Sequence, residues 1–98
     1  MKVRWTQVAY RRLEEIYAYI EKDSPANAAK WAERLLKKIE GIKDFPKAGR
    51  AVPELDLANV REIGYGNYGL IYKIKDETTY IMRIRHFKQI LPLKEMEE

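Results

Sequence analysis

The 98-residue chain is 46% hydrophobic and 35% charged, a globular rather than disordered composition, and its length suits one domain with a single modest core. It has no cysteine, which excludes disulfides and cysteine–zinc sites, and one histidine makes a poor start for a transition-metal site, so no cofactor or metal is expected. Nineteen Lys and Arg against fifteen Asp and Glu leave a net charge of +4, which suits an anionic partner, nucleic acid or acidic polypeptide, and serves solubility equally well.

The chain opens with MKVRWTQVAYRRLEEI, which carries no apolar signal core, and no later run approaches a membrane span; a cytoplasmic location is expected. Lys2 to Trp5 alternates, with Val3 and Trp5 to one side and Lys2 and Arg4 to the other, and reads as a strand. Thr6 is placed to cap a helix on which Ala9, Leu13, Ile16 and Ile20 form one apolar stripe. Arg11, Arg12, Glu14, Glu15 and Lys22 fall on the polar side. Ser24 and Pro25 mark a break and restart, a cap followed by a proline whose missing N–H costs nothing at the first helical position. Ala28, Trp31, Leu35, Ile39 and Ile42 then recur at helical spacing. Two helices so closely joined lie antiparallel, and their stripes need a third surface to cover.

That surface is expected to be a sheet. The stretch DFPKAGRAVPELDLAN carries two of the four prolines and reads as an ordered loop. Val60–Gly64 follows as a strand, Gly66-Asn67 as a turn, and Tyr68 to Lys75 as an alternating strand. Asp76 to Thr78 turns the chain again into a last alternating strand from Tyr80 to Phe87. The expected fold is α+β, in the order β-α-α-β-β-β: an N-terminal strand and a helical hairpin packed on a small twisted antiparallel sheet, one domain over residues 1–98. The acidic tail, residues 91–98, reads as a final helical turn or a frayed end.

Chemistry is sparse. There is no phosphate-binding glycine loop and no dinucleotide fingerprint, and Ser24, the only serine, is better used as a cap than as a nucleophile. What remains is a cationic group near the C-terminus, Arg61, Arg83, Arg85, His86 and Lys88, with Glu54 and Glu62 near Arg61 in sequence. Arg83 and Arg85 are two apart on a strand and share a face, as a phosphate-contacting pair would. RNA cleavage would add proton transfer, for which Glu54 and His86 are the candidates, with Arg61 and Arg83 neutralising the phosphate. The plainer alternatives are a solvated sheet face and a neutral His86 tucked under the core edge. Tyr65, Tyr68, Tyr72 and Tyr80 could stack on bases and are better suited to cross-strand packing.

Taken in order, VRWTQVAYRRLEEIYAYI, SPANAAKWAERLLKKIEGIKDFPKAGRAVPEL, VREIGYGNYGLIYKI and YIMRIRHF resemble the RelE/ParE superfamily of toxins over nearly the whole chain, FPKAGRAVPEL and RIRHF being the most specific phrases. The resemblance implies the toxin half of a type II toxin–antitoxin module (the plasmid-stabilisation type), held by a small acidic antitoxin encoded nearby. RelE-like members are ribosome-dependent mRNA endoribonucleases (mRNA interferases); ParE-like members bind and inhibit DNA gyrase without chemistry of their own. Glu54 and His86 match residues used by nucleases of the family and would be catalytic only in that branch. The nuclease branch usually has an arginine directly after the tyrosine of its YRxxY strand, where YGLIY places Gly69 here, and Phe87 stands where some nucleases have tyrosine. Loss of one preorganised cation costs roughly 3–4 kcal/mol in the transition state. The resemblance therefore points to the ParE-like branch, with Arg61, Arg83, Arg85 and Lys88 as target-binding residues. The RelE-like nuclease, and a degenerate toxin that only binds antitoxin, are the alternatives.

Overall fold

The computed structural model describes residues 2–52 and 59–86. Glu54, Phe87, Lys88 and the tail lie outside the described residues, so expectations placed on them have no structural counterpart. The element order is β1 (Lys2–Trp5), α1 (Gln7–Asp23), α2 (Pro25–Asp44), β2 (Arg50–Ala51), β3 (Val60–Tyr65), β4 (Tyr68–Lys75) and β5 (Thr78–His86).

Both helices start as the sequence directs. The Thr6 hydroxyl accepts from the Ala9 N–H at 3.2 Å, and it also donates to the Ile81 carbonyl at 2.9 Å, so one side chain caps α1 and fastens it to β5. Ser24 caps α2 through the Asn27 N–H at 3.1 Å, with Pro25 at its first position. Ala9 and Ile16 of α1 and Leu35, Ile39 and Ile42 of α2 are buried against Leu70, Tyr72, Ile81 and Ile84 of the sheet. Val3, Trp5, Leu13, Ile20 and Trp31 pack on the margin of the same core.

Among the described residues the sheet has five strands, in the order β1-β5-β4-β3-β2. Two features depart from the expected meander. β1 pairs with β5 in parallel, Lys2 opposite Thr78 and Trp5 opposite Ile81. The helical hairpin supplies the long crossover that a parallel pair requires. The stretch read as loop also contributes a strand: Arg50 and Ala51 pair antiparallel with Glu62 and Arg61. A two-residue strand leaves too little periodicity to be read from sequence.

β4 is buried on both faces. Leu70 and Tyr72 meet the helices, while Ile71 joins Val52 and Val60 in a second apolar cluster with Met82 at its edge. Between β4 and β5 the register shifts: Tyr72 faces Ile81 and Ile71 faces Arg83, which leaves Met82 as the extra residue of a β-bulge. Gly66 takes the first turn at φ 58°. Asp76 and Glu77 take the second at φ 50° and 60°, the double left-handed pattern of a tight hairpin turn made without glycine.

Candidate functional site

The cationic group read from the sequence is divided by the fold into three settings. The first lies on the sheet face away from the helices. Arg85 stands opposite Gly69 on β4, and Glu62 lies one row along on β3. With no side chain at position 69 in the way, Arg85 reaches Glu62 with both arms of its guanidinium, Nε to Oε2 at 2.6 Å and Nη2 to Oε1 at 2.9 Å. Arg50 of β2 donates to the same Oε1. The Glu62 side chain is 1% exposed and that of Arg85 8%, whereas Arg50 is 54% exposed. One buried carboxylate thus fastens three strands. A Cβ on Gly69 would overlap the Glu62 carboxylate and come within 2.7 Å of Cδ. The glycine noted in the sequence is therefore required by this ion pair, and an arginine side chain there has no room to leave the backbone.

Arg61 lies on the opposite face, paired with Ala51 and Tyr72. It donates to the Gly49 carbonyl at 2.7 Å and, at 3.4 Å, to that of Lys47. Beside it the buried Tyr72 hydroxyl donates to the Pro46 carbonyl at 2.7 Å and accepts from the Gly49 N–H at 2.9 Å. Burial pushes the Tyr72 phenol above its ordinary pKa, against the lowering effect of the Gly49 hydrogen bond and the Arg61 charge. Arg61 and Tyr72 thus anchor the connection that leaves α2.

The third setting is open. Arg83 lines a groove of about 300 Å³ with Ile84 and, from α1, Val8, Arg11, Arg12 and Glu15. Arg12 and Glu15 also line a second recess, with Ile16, Tyr19 and Tyr68. Val8 is 50% exposed and Tyr19 71%, so the α1 side of this surface offers apolar contact beside cations. Partial burial lowers the pKa of Arg83, a group whose ordinary value is high enough to keep it cationic at neutral pH. His86 lies at the end of β5, its ring edge-on to Tyr68 with centroids 5.6 Å apart. Tyr65 and Tyr68 in turn pack on Trp31, and the Tyr65 hydroxyl donates to the Trp31 carbonyl. These tyrosines serve cross-strand and helix–sheet packing.

Arg83 and Arg85 share a face in register as expected, but their guanidinium groups do different work: Arg85 is spent inside the fold, and Arg83 borders the groove. The α1 contributors Val8, Arg11, Arg12 and Tyr19 were not expected as binding residues, Arg11 and Arg12 being placed only on the polar side of the helix. Their signal was available, since Val8, Arg12 and Tyr19 fall on one helical face beside the apolar stripe. Among the described residues no three His, Asp or Glu side chains converge to hold a metal ion. No helix among them is long and apolar enough to cross a membrane. The open site is suited to binding an amphipathic or anionic partner by shape, apolar contact and charge.

A family described as "ParE toxin of type II toxin-antitoxin system, parDE" matches residues 3–91. The chain is 34% identical over 96 residues to "Putative toxin Y4kP" of Sinorhizobium fredii, covering 93% of each protein. It is 34% identical over 86 residues to "Toxin RelE2" of Caulobacter vibrioides, covering 87% of this chain and 93% of that one. A solved structure described as "Chromosomal ParDE TA system from P. aeruginosa" superposes with a TM-score of 0.72 at 21% identity, over 88% of this chain and 95% of the other, and so shares the fold.

Proposed function

The chain belongs to the ParE toxin family of type II toxin–antitoxin systems, and from that premise we propose that it is a binding toxin that inhibits DNA gyrase and is neutralised by a cognate acidic antitoxin. The observation that carries this reading over a nuclease is the Glu62–Arg85 pair over Gly69. The position at which the family's nucleases are expected to hold a phosphate-binding arginine is filled here by an internal carboxylate. Arg85, the next cation along that face, is committed to the same carboxylate. A cation locked in a buried pair is unavailable to a scissile phosphate, because releasing it would leave Glu62 charged and unpaired.

Arg83 is then the cation of the expected set best placed for a target, flanked by Arg11 and Arg12 in the groove. Such a surface binds without needing a general base, and charge there speeds encounter and discriminates between partners. The name of the relative Toxin RelE2 keeps mRNA cleavage as the second reading, with His86 and Glu54 as its candidate proton carriers.

The deciding experiment runs the purified protein in two assays in parallel: supercoiling of relaxed plasmid by gyrase, and integrity of a message during translation on ribosomes. Inhibited supercoiling with intact message is the expected result. Codon-phased cleavage that is lost in His86→Ala, with gyrase unaffected, would establish the nuclease instead. Inactivity in both, with antitoxin binding retained, would mark a degenerate toxin.

A further inference from the structure

The two recesses beside α1 share Arg12 and Glu15, and so form one continuous channel along the α1–β5 crevice. Its α1 wall runs from Val8 to Tyr19, roughly 16 Å at ~1.5 Å per helical residue. The chemistry changes along that length. Arg11, Arg12 and Arg83 gather toward the Val8 end, and Tyr19 and Tyr68 line the other. Glu15 is the one carboxylate among the described residues that line the channel, and it meets Arg12 at 3.4 Å across two solvent-accessible side chains, a pair weak enough to open. Tyr68 is braced edge-on from two sides, by Trp31 with centroids 6.2 Å apart and by His86 at 5.6 Å, which fixes the plane of its ring. The apolar floor is thin, since Ile16 and Ile84 are each only 3% exposed.

We propose that this channel binds an unpaired strand of DNA, with its phosphates on Arg11, Arg12 and Arg83 and a base against Tyr19 and Tyr68. Guanidinium forks match phosphate oxygens two at a time, and a tyrosine face stacks a base of any identity. The α1 wall has the length of about five nucleotides at ~3.4 Å each, so one strand reaches both ends. A duplex cannot use the aromatic end, because its bases are paired and stacked inside. An acidic helix suits the channel less well. Such a helix is held by apolar anchors seated in pockets, and here Ile16 and Ile84 are already covered by the fold. The choice of DNA rests on the reading that the target is DNA gyrase, an enzyme that works on DNA; the fit of phosphate and base to the channel does not.

The test measures fluorescence anisotropy of a labelled thymidine strand of about twelve nucleotides with the full-length protein, across a range of salt. The other arms are an abasic strand of the same length, a DNA duplex, a uridine RNA strand and a glutamate peptide. Binding of the thymidine strand is expected, with a log–log salt slope of about −2, three phosphates at ~0.7 each, falling to about −1.4 in Arg83→Ala. Arg12→Ala/Arg83→Ala should weaken it by more than about tenfold at low salt. Lys37→Ala/Lys38→Ala removes the same charge from exposed positions of α2 and should leave it nearly unchanged. Tyr19→Ala, a change at an exposed position that spares the fold, should weaken the thymidine strand about tenfold and bring it level with the abasic strand. No binding, equal binding of the abasic strand or the duplex, an equal loss in the Lys37/Lys38 variant, tighter binding of RNA, or displacement by the glutamate peptide at equal charge would each overturn the proposal. Gyrase inhibition that persists in a folded Arg12→Ala/Tyr19→Ala protein unable to hold the strand overturns it while the gyrase reading survives. Strand binding as expected by a protein that leaves supercoiling intact supports the channel and overturns the gyrase reading instead.

Discussion

Glu62 is one carboxylate shared by two arginines, and the two contacts have different weight. Arg85 is nearly as buried as Glu62, so removing its guanidinium strands a charge in a low-dielectric setting. Arg85→Ala is expected to lower the unfolding free energy by about 3–5 kcal/mol in urea titrations. Arg50→Ala removes a half-exposed partner while the Arg85 fork remains, and should cost no more than about 1 kcal/mol. Equal losses in the two variants would show that the triad is not organised around Arg85. Gly69→Ala pushes a methyl into the same carboxylate and should cost about 1–3 kcal/mol, the usual range for overpacking. The tyrosines give a pH signature. Burial raises the pKa of both Tyr65 and Tyr72 above the unfolded value of 10.0, so the folded state holds those protons more tightly. Their contribution is complete below pH 10 and declines as pH rises from there through the folded values. Melting curves between pH 8 and 12 should show a fall in stability above about pH 10 that is smaller in Tyr72→Phe. The same variant should be less stable at pH 7, by about 1–3 kcal/mol, because the Gly49 N–H and Pro46 carbonyl lose their partner.

At the scale of the elements, the two helix caps look alike in sequence and differ in consequence. Ser24 serves α2 alone, whereas Thr6 also holds β5 through the Ile81 carbonyl. Ser24→Ala should cost about 1 kcal/mol and Thr6→Ala about 2 kcal/mol or more, measured by chemical denaturation. The β4–β5 turn is suboptimal by the same reasoning. Glu77 sits at φ 60° without the freedom of glycine, and Glu77→Gly should stabilise the protein by about 0.5–1 kcal/mol. Helices, caps and the three long strands were legible because each carries a full period of apolar residues or an unambiguous stop. β2 was hidden in a loop because two residues carry no period. The bulge at Met82 was hidden because strict alternation from Tyr80 to His86 gives no sign of an extra residue; its trace is that Ile81 and Ile84, three apart, both face the helices. Arg83 and Arg85 could be paired by parity, but parity is silent on where a guanidinium ends. That depended on a glycine in one neighbouring strand and a glutamate in the strand beyond.

For the molecule as a whole, the division of cations separates folding from action. A helical hairpin on one side of the sheet and an ion-paired, apolar cluster on the other leave the α1–β5 groove, among the described residues, as a surface where charge and exposed apolar groups coincide. Arg83 and Arg85 are two residues apart, of the same type and on the same strand, so substituting each in turn compares the two roles with little else changed. If the groove receives the target, Arg83→Ala should abolish growth inhibition on expression while lowering the melting temperature by less than Arg85→Ala does, since Arg83 is only partly buried. Arg85→Ala should instead lower the melting temperature by more than about 10 °C, with any loss of toxicity following the loss of folded protein. Adding Val8→Asp to Arg83→Ala would close the case for the groove, since it touches only the α1 wall. Full toxicity in a stable Arg83→Ala/Val8→Asp protein would move the target surface elsewhere. Toxicity lost in Arg85→Ala at unchanged stability would mean that this guanidinium leaves Glu62 when the target arrives.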